Sequence, residues 1–249
     1  MNVLVFVAGV LDPKWPIAPD GRNVPARDAS RLIMSPFDEA ALEIALEIRD
    51  GLPDTKVRAL VAGGAEAERL ARSIAAFNMS DVAIFAVDAL WDQGATARSI
   101  ADEIGDADLI LIGREFGDCD DGLVAPMLAA LLGFAFFGRV QSVIVADTVE
   151  LLREAGGCEE RLVADRPILA SVTNDRRTRL RKPLMKNVMI ARQASIARRD
   201  PPAGRQADLE LCGASMLSGA RARVSCQLLA GTSTEQAEQL ADLLMEARR

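Results

Sequence analysis

The stretch richest in reactive side chains is GREFGDCDDGLVAP, residues 113–126, which follows the aliphatic run LILI. It combines a glutamate, three aspartates and a cysteine with three glycines. Carboxylates at this spacing could bind a metal ion or move protons. Glycines at the start of a helix could instead let main-chain N–H groups contact a phosphate. A third possibility is an ordinary strand-to-helix loop whose aspartates cap the helix.

The composition restricts these chemistries. The chain of 249 residues contains no histidine, so it has no Ser-His-Asp triad and no histidine-metal site. Its four cysteines are scattered without C-x-x-C spacing, which argues against a zinc site and against a disulfide framework. Free thiols suit a reducing compartment, and no apolar run is long enough to span a bilayer. We therefore expect a cytoplasmic protein with no membrane span. Catalysis by a carboxylate, a lysine or a cysteine stays open on composition alone.

The charge is distributed unevenly along the chain. Residues 176–199 contain nine basic residues and no acidic one, and since the whole chain carries −7, the remaining residues carry −16. Such a segment is a candidate surface for an acidic partner. Leucine and methionine, not aromatic residues, interrupt the basic residues, so the stacking surface of a single-strand binder is missing. We expect no nucleic-acid partner.

Short aliphatic runs predict the strands that would position the 113–126 stretch. They are VLVFVA (3–8), VRALVA (57–62), VAIFAV (82–87), LILIG (109–113), VIVA (143–146) and ILASVT (168–173). Most are continuous, as in parallel strands buried on both faces. Helical patterns lie between them at 36–50, 65–77, 95–105 and 123–132. This alternation predicts an α/β fold with a doubly wound, mostly parallel sheet.

Local signals define the first helix and the C-terminal region. Ser35 is a predicted N-cap, Pro36 suits the first helical position, and Asp38 lies three residues after the cap. Residues 198–210 read RRDPPAGRQADLE and predict a linker, followed by an amphipathic helix in STEQAEQLADLLMEARR. We expect a nucleotide-binding domain at 1–186 and a C-terminal extended arm with a helix at 187–249, which packs on this domain or on a partner.

Several strand ends are expected to meet at one edge of the sheet. Parallel α/β sheets bind ligands at the carboxyl ends of their strands. Ala8 and Ala62 follow two strands, residues 35–38 begin a helix, and the 113–126 stretch follows a third strand. The sequence has neither G-x-x-x-x-G-K-[ST] nor G-x-G-x-x-G, so neither a P-loop ATPase nor a standard dinucleotide fold is predicted. These ends outline a nucleotide pocket.

Four motifs resemble the electron-transfer flavoprotein beta subunit family. They are VLVFVAGVLDPKWPIAPDGR, SPFDEAALEIALEIRD, DLILIGREFGDCDDGLVAPMLAALLG and TNDRRTRLRKPLMKNVMIAR, and they occur in the family's order. The resemblance implies a heterodimer with an alpha subunit that carries the redox FAD. It also implies a structural AMP in beta, and electron donation by an acyl-CoA dehydrogenase or another flavin dehydrogenase. Beta is then an electron-carrier subunit and not an enzyme by itself.

The resemblance also assigns residues. The family's AMP-binding positions correspond to Ala8, Ser35, Pro36, Phe37, Asp38, Ala62, Gly113, Arg114, Asp118, Cys119, Asp120, Gly122, Leu123 and Val124. The partner-docking positions fall within residues 173–192, which we call the docking segment, at Arg177, Arg179, Leu180, Arg181, Leu184, Met185 and Lys186. The arm after this segment is expected to pack on the alpha subunit.

The sequence departs from the family pattern at several of these positions. The usual Asn-Pro is Ser35-Pro36, the usual Lys-Gln is Arg114-Glu115, and the usual Gln is Leu123. Either Leu180 or Leu184 could be the apolar anchor of the docking segment. Two alternatives stay open: a bifurcating electron-transfer flavoprotein with a second FAD in place of AMP, and a free ATP- or AMP-binding signalling module.

Overall fold

The computed structural model describes residues 1–14, 32–87, 90–165, 167–200, 209 and 228–247. Its contacts divide the chain into two compact units, Met1–Ala214 and Ser215–Arg249. The second half of the predicted opening motif and most of the predicted linker lie outside the described residues. Among the described residues, no helix has the length and apolar character that crossing a bilayer requires.

A seven-stranded parallel sheet forms the centre of the first unit. In spatial order its strands are β12 (Ala197–Arg199), β5 (Asp81–Phe85), β4 (Lys56–Ala62), β1 (Asn2–Val7), β6 (Leu109–Gly113), β11 (Ile168–Val172) and β7 (Ala135–Val140). Each neighbouring pair is parallel. Every residue of β6 and β11 is buried, which is why these strands are continuous aliphatic runs.

Helices cover both faces of the sheet, which confirms the doubly wound fold. The side chains of β1 alternate: Val3, Val5 and Val7 pack under α1 (Pro36–Gly51) and α2 (Glu68–Ala75). Leu4 and Phe6 point to the opposite face, under α3 (Gln93–Ala101) and α4 (Val124–Leu132). A single turn of 3₁₀-helix at Ala65–Ala67 leads into α2.

The run VIVA does form a strand, but the prediction that it belongs to the parallel sheet is wrong. It lies in β8 (Ser142–Val145), which pairs antiparallel with β9 (Val149–Ala155), and β9 pairs with β10 (Cys158–Ala164). Val143 and Val145 pack against the core while Ile144 is 50% exposed, so one face of the strand contacts solvent. The parallel position is taken by β7. A two-stranded ribbon of β2 (Val10–Leu11) and β3 (Leu32–Ile33) completes the strands described.

The start of α1 has the predicted cap. The Asp38 N–H donates to Ser35 Oγ at 3.0 Å, and the Ser35 N–H donates to Asp38 Oδ2 at 3.1 Å. This reciprocal pair satisfies two main-chain donors at the helix start, and Pro36 occupies the first turn. The helix is buried along most of its length, including Asp38 and Glu43.

The predicted boundary at Lys186 lies within α5 (Met185–Gln193), which packs on α2, and β12 then pairs with β5. Arg198 and Arg199 therefore belong to a strand, and the predicted linker does not begin at residue 198. In the second unit, α6 (Ser233–Glu246) confirms the predicted terminal helix, and Thr232 and Glu235 form its capping box. The domain boundary at residue 186 stays a prediction.

The buried sheet gives a direct stability prediction. Replacing Leu111, a fully buried residue of β6, by alanine should lower the free energy of unfolding by about 2–5 kcal/mol, because a cavity remains. Leu131→Ala is the matched control, since this leucine of α4 is 54% exposed and should cost less than about 0.5 kcal/mol. Urea unfolding measures both, and equal losses would contradict the described core.

Candidate functional site

The strand ends that the sequence predicts to meet do lie together. Val7 pairs with Val61, so Ala8 and Ala62 follow at neighbouring positions of β1 and β4. On the other side of β1, Phe6 pairs with Ile112, and Gly113 ends β6. Parallel pairing thus places the carboxyl ends of β1, β4 and β6 at one edge of the sheet.

The first turn of α1 lies against this edge. The Gly9 N–H donates to the buried Asp38 Oδ2 at 3.3 Å, which ties the end of β1 to the helix start. A Cβ atom on Gly113 would lie 3.1 Å from both Phe37 Cβ and Asp38 Oδ1. A larger residue than glycine is therefore crowded here. The Arg114 guanidinium lies 5.9 Å from the centre of the Phe37 ring, as in a cation–π contact.

The loop after β6, residues 114–123, is organised by the carboxylate of Asp120. Its Oδ2 accepts from the Phe116 N–H at 2.8 Å, and its Oδ1 accepts from the N–H groups of Gly122 at 2.9 Å and Leu123 at 2.8 Å. A fourth N–H, from Val124 at the start of α4, donates to the same Oδ1 at 3.2 Å. Asp120 is only 6% exposed, so these hydrogen bonds lie inside the protein.

Asp118 links the same loop to the first strands. Both of its carboxylate oxygens accept from the Leu11 N–H, at 3.1 and 3.3 Å. Gly117, with φ +81°, passes so close to Ala8 that a Cβ would lie 3.2 Å from the Ala8 Cβ. Asp118 and Asp120 therefore hold the shape of the 113–126 stretch. No cluster of three potential metal-binding side chains occurs among the described residues.

This arrangement separates the predicted nucleotide residues into two groups. The buried residues build the edge, and they are Ala8, Ser35, Asp38, Ala62, Gly113, Asp120 and Val124. The exposed or half-buried residues face outward, and they are Pro36, Phe37, Arg114, Asp118, Cys119, Gly122 and Leu123. Because Asp120 already accepts from three N–H groups at the start of α4, a phosphate here would depend more on the Arg114 cation and on α1.

The groups at this edge suit the two parts of an adenine nucleotide, its anionic phosphate and its aromatic base. The helix start of α1 carries a partial positive charge, and Arg114 adds a guanidinium group. Its side chain is 46% exposed, and its Nε lies 3.6 Å from the Glu115 carboxylate. Phe37 offers a half-buried ring and Leu123 an exposed apolar side chain that suit contact with the aromatic faces of an adenine base. Cationic and apolar groups thus stand at one edge.

The docking segment is held against α1 by Arg181. Its main-chain N–H donates to Glu43 Oε2 at 2.9 Å, and its Nη2 donates to Glu43 Oε1 at 2.7 Å. Its Nη1 also pairs with Asp50. The Glu43 side chain is 8% exposed, so this carboxylate is nearly buried. The hydrogen bonds that Arg181 donates to Glu43, and then to Asp50, raise the pKa of Arg181. The bond from Arg181 lowers the pKa of Asp50.

The two candidate anchors of the docking segment differ in exposure. Leu180 is half-buried and packs against the core, whereas Leu184 is 71% exposed. Leu184 adjoins a further exposed apolar face on α5 that consists of Met185, Met189 and Ile190. Leu184 is thus the leucine that is available to a partner.

The basic residues of the segment are also not equivalent. Arg177 pairs with Asp175 at 3.1 Å and with Glu154 at 3.3 Å. Arg179 and Lys186 are exposed, and within the described chain no carboxylate pairs with them. Sequence reasoning missed the roles of Glu43 and Asp50. The sequence does offer one signal, because Glu43 lies between the apolar residues Leu42 and Ile44 in the predicted helix.

Comparison with known proteins identifies several relatives. The family profile described as "Electron transfer flavoprotein domain" matches residues 23–203. An electron transfer flavoprotein subunit beta from Bradyrhizobium diazoefficiens is 31% identical over 207 residues, covering 79% of this chain and 80% of the relative. Protein FixA of the same organism is 28% identical, with 77% and 70% covered. Caffeyl-CoA reductase-Etf complex subunit CarD from Acetobacterium woodii is 29% identical, with 59% and 58% covered.

Asp120 provides a test of how the loop is built. Asp120→Ala removes the acceptor of four main-chain N–H groups and should lower the free energy of unfolding by about 1–3 kcal/mol. It should also speed amide exchange at residues 116 and 122–124. Asp121→Ala is the control, because Asp121 is exposed and accepts none of these bonds. If both variants exchange at the wild-type rate, Asp120 does not organise the loop.

Arg181 provides a test of the docking segment. Arg181→Gln should speed amide exchange over residues 173–184, and it should lower the free energy of unfolding by about 2 kcal/mol at neutral pH. The nearly buried Glu43 loses its cation, but the loss is moderate because Arg181 itself is only partly buried. Arg179→Gln should change neither quantity. The contribution of Asp50 is complete above its ordinary pKa of 3.8 and is lost as the pH falls through its lower folded value. The difference in unfolding free energy between wild type and Arg181→Gln should therefore narrow as the pH falls below 3.8. A constant difference would show that the Asp50 pair does not contribute to stability.

Proposed function

Because this chain belongs to the electron-transfer flavoprotein beta subunit family, we propose that it is the beta subunit of a heterodimeric electron carrier. An alpha subunit would hold the redox FAD, and flavin dehydrogenases would donate the electrons. The observation that carries the proposal is the meeting of residues 35–38 with Gly113 and Arg114 at the strand ends. That edge joins two of the four motifs by which the sequence resembles the family.

The proposed ligand of this edge is AMP, held as a structural nucleotide. Arg114 and the start of α1 would balance the phosphate charge. Phe37 and Leu123 would contact the apolar parts, while Asp120 keeps the 114–123 loop in place. When FAD is bound in the heterodimer, it supplies the redox chemistry. The residues of this chain would position the nucleotide and shield it from water, and none is assigned a catalytic role.

A second FAD in place of AMP is the alternative ligand. A polar cleft of about 450 Å³ opens beside the first turn of α1, between Pro36 and Glu39 on one side and residues 174–180 on the other. This space adjoins the proposed AMP position and favours a larger dinucleotide. The similarity to CarD, whose name places it in a reductase–Etf complex, also favours this alternative. The signalling module is disfavoured by the family assignment.

The docking segment is the proposed contact with the electron donor. Leu184 supplies an exposed apolar anchor. Arg179 and Lys186 supply positive charge that no carboxylate among the described residues pairs with. Arg181 instead bonds to Glu43 and Asp50, so its proposed role is to hold the segment in place. The excess of basic residues suits a donor whose docking surface is acidic.

Nucleotide content tests the proposed ligands. The chain, co-expressed with its candidate alpha subunit and purified under mild conditions, should release AMP and about one equivalent of FAD on denaturation. Mass spectrometry identifies both, and gel filtration reports the heterodimer. Two FAD per heterodimer without AMP would establish the second ligand instead. A chain that remains alone, with ATP or with no nucleotide, would contradict the proposed function.

The two leucines of the docking segment form a matched pair. Leu184→Ala should raise the donor concentration needed for half-maximal flavin reduction about tenfold, as expected for an exposed hot-spot side chain. It should leave the free energy of unfolding unchanged. Leu180→Ala should do the reverse, lowering the free energy of unfolding because Leu180 packs on the core. Stopped-flow reduction and urea unfolding measure the two effects. Normal reduction kinetics in Leu184→Ala would remove Leu184 from the interface.

A further inference from the structure

The start of α3 lies beside the 114–123 loop. Asp92 caps this helix, because its Oδ1 accepts from the Ala95 N–H at 2.9 Å. The next residue, Gln93, donates from its side-chain amide to the Cys119 carbonyl oxygen at 3.2 Å. The first turn of α3 is therefore attached to the loop that the proposed nucleotide would contact.

The carboxylate of Asp92 also binds the chain that follows β12. Its second oxygen, Oδ2, accepts from the Leu209 main-chain N–H at 3.1 Å. Leu209 falls within residues 198–210, which the sequence predicts as a linker, and it belongs to the same compact unit as Asp92. One carboxylate thus serves both the helix start and the chain that precedes the second unit.

Burial makes this hydrogen bond consequential. Asp92 is 2% exposed, so water cannot readily replace a donor that its carboxylate loses. Hydrogen bonds to an ionised acceptor are also stronger than those between neutral groups. The Leu209 residue is 60% exposed, so its main chain is held more firmly than its side chain.

The end of β12 provides a second attachment of the same chain. β12 runs parallel to β5, and the Arg199 carbonyl oxygen accepts from the Ala86 N–H at 3.1 Å. The chain therefore leaves β12 at the sheet edge where β5 also ends. The Arg199 guanidinium donates to Glu103, just after α3, at 2.8 Å. Arg199 and Leu209 thus tie this chain to both ends of α3.

We propose that Asp92 holds the chain after β12 in the position from which it binds the alpha subunit. We call this contact the Asp92–Leu209 latch. The inference rests on the proposed function only for the identity of that partner. A segment that is held in place before binding loses less conformational entropy on binding, so the latch raises affinity by preorganisation. Asp92 is then a positioning residue.

Two substitutions at one position separate the helix cap from the latch. Asp92→Asn keeps an oxygen for the Ala95 N–H, since asparagine caps helices as well as aspartate does, but it turns an amide NH₂ group towards the Leu209 N–H. Asp92→Ala removes both acceptors. NMR of the ¹⁵N-labelled full chain should show exchange of the Leu209 N–H at least about tenfold faster in both variants. Exchange of the Ala95 N–H should rise in Asp92→Ala alone.

A charge control accompanies these variants. Asp147→Asn makes the same change of net charge at an exposed position between β8 and β9, and it should exchange like the wild type at both amides. Circular dichroism checks that each variant is folded.

Binding of the candidate alpha subunit tests what the latch does. Asp92→Asn should raise the Kd at least about threefold, because a smaller fraction of the free chain is held in position. Leu209→Pro deletes the donor N–H and should raise the Kd by a similar factor. Leu209→Ala keeps that N–H and should leave the Kd within about twofold. The double variant of Asp92→Asn with Leu209→Pro should bind no more weakly than either single variant, because both remove one bond. Isothermal titration calorimetry measures each Kd.

Several results would overturn the proposal. Wild-type exchange at Leu209 in Asp92→Asn would show that Asp92 does not hold this chain. Faster exchange at Ala95 in that variant would assign the effect to the helix cap. An unchanged Kd in Asp92→Asn and Leu209→Pro, or losses that multiply in the double variant, would show that the latch does not serve the partner. A wild-type chain that binds no alpha subunit would contradict the proposed function, whereas the exchange of Leu209 tests the latch without any partner.

Discussion

The buried carboxylate of Asp38 is the interaction on which the proposed site depends. It accepts from the Gly9 N–H after β1 and from the Ser35 N–H before α1, and the residue is fully buried. Hydrogen bonds to an ionised group are stronger than neutral ones, and a buried carboxylate without its donors is costly. Asp38 thus fixes where α1 begins relative to the sheet. Gly113 and Arg114 can then approach Phe37 closely.

The same helix also positions the docking segment. Its first turn faces the strand ends, and further along Glu43 and Asp50 bind Arg181. One rigid element therefore connects the proposed nucleotide edge with the surface proposed for the electron donor. The chain needs no histidine for this role, because carboxylates that accept N–H and guanidinium donors provide all of these links.

Local sequence predicted the parts of the structure that local physics determines. The capping box at Ser35 and Asp38 depends on residues three apart, and the buried strands β1, β4 and β6 are aliphatic runs. VIVA was misplaced because an aliphatic run does not reveal whether one or both faces are covered. The pairing of Arg181 with Glu43 spans 138 residues, so nothing local announces it. Likewise, the resemblance placed Asp120 among the ligand-binding residues, but only coordinates show that it accepts four main-chain donors.

Amide hydrogen exchange of the full chain with and without AMP tests the central claim most directly. If the edge built by α1 and the 114–123 loop binds the nucleotide, AMP should slow exchange at residues 37–39 and 113–124 and leave exchange in α2 and α5 unchanged. Adenosine, which lacks the phosphate, should protect the residues around Arg114 less. No protection at saturating AMP, or protection confined to other parts of the chain, would contradict the account.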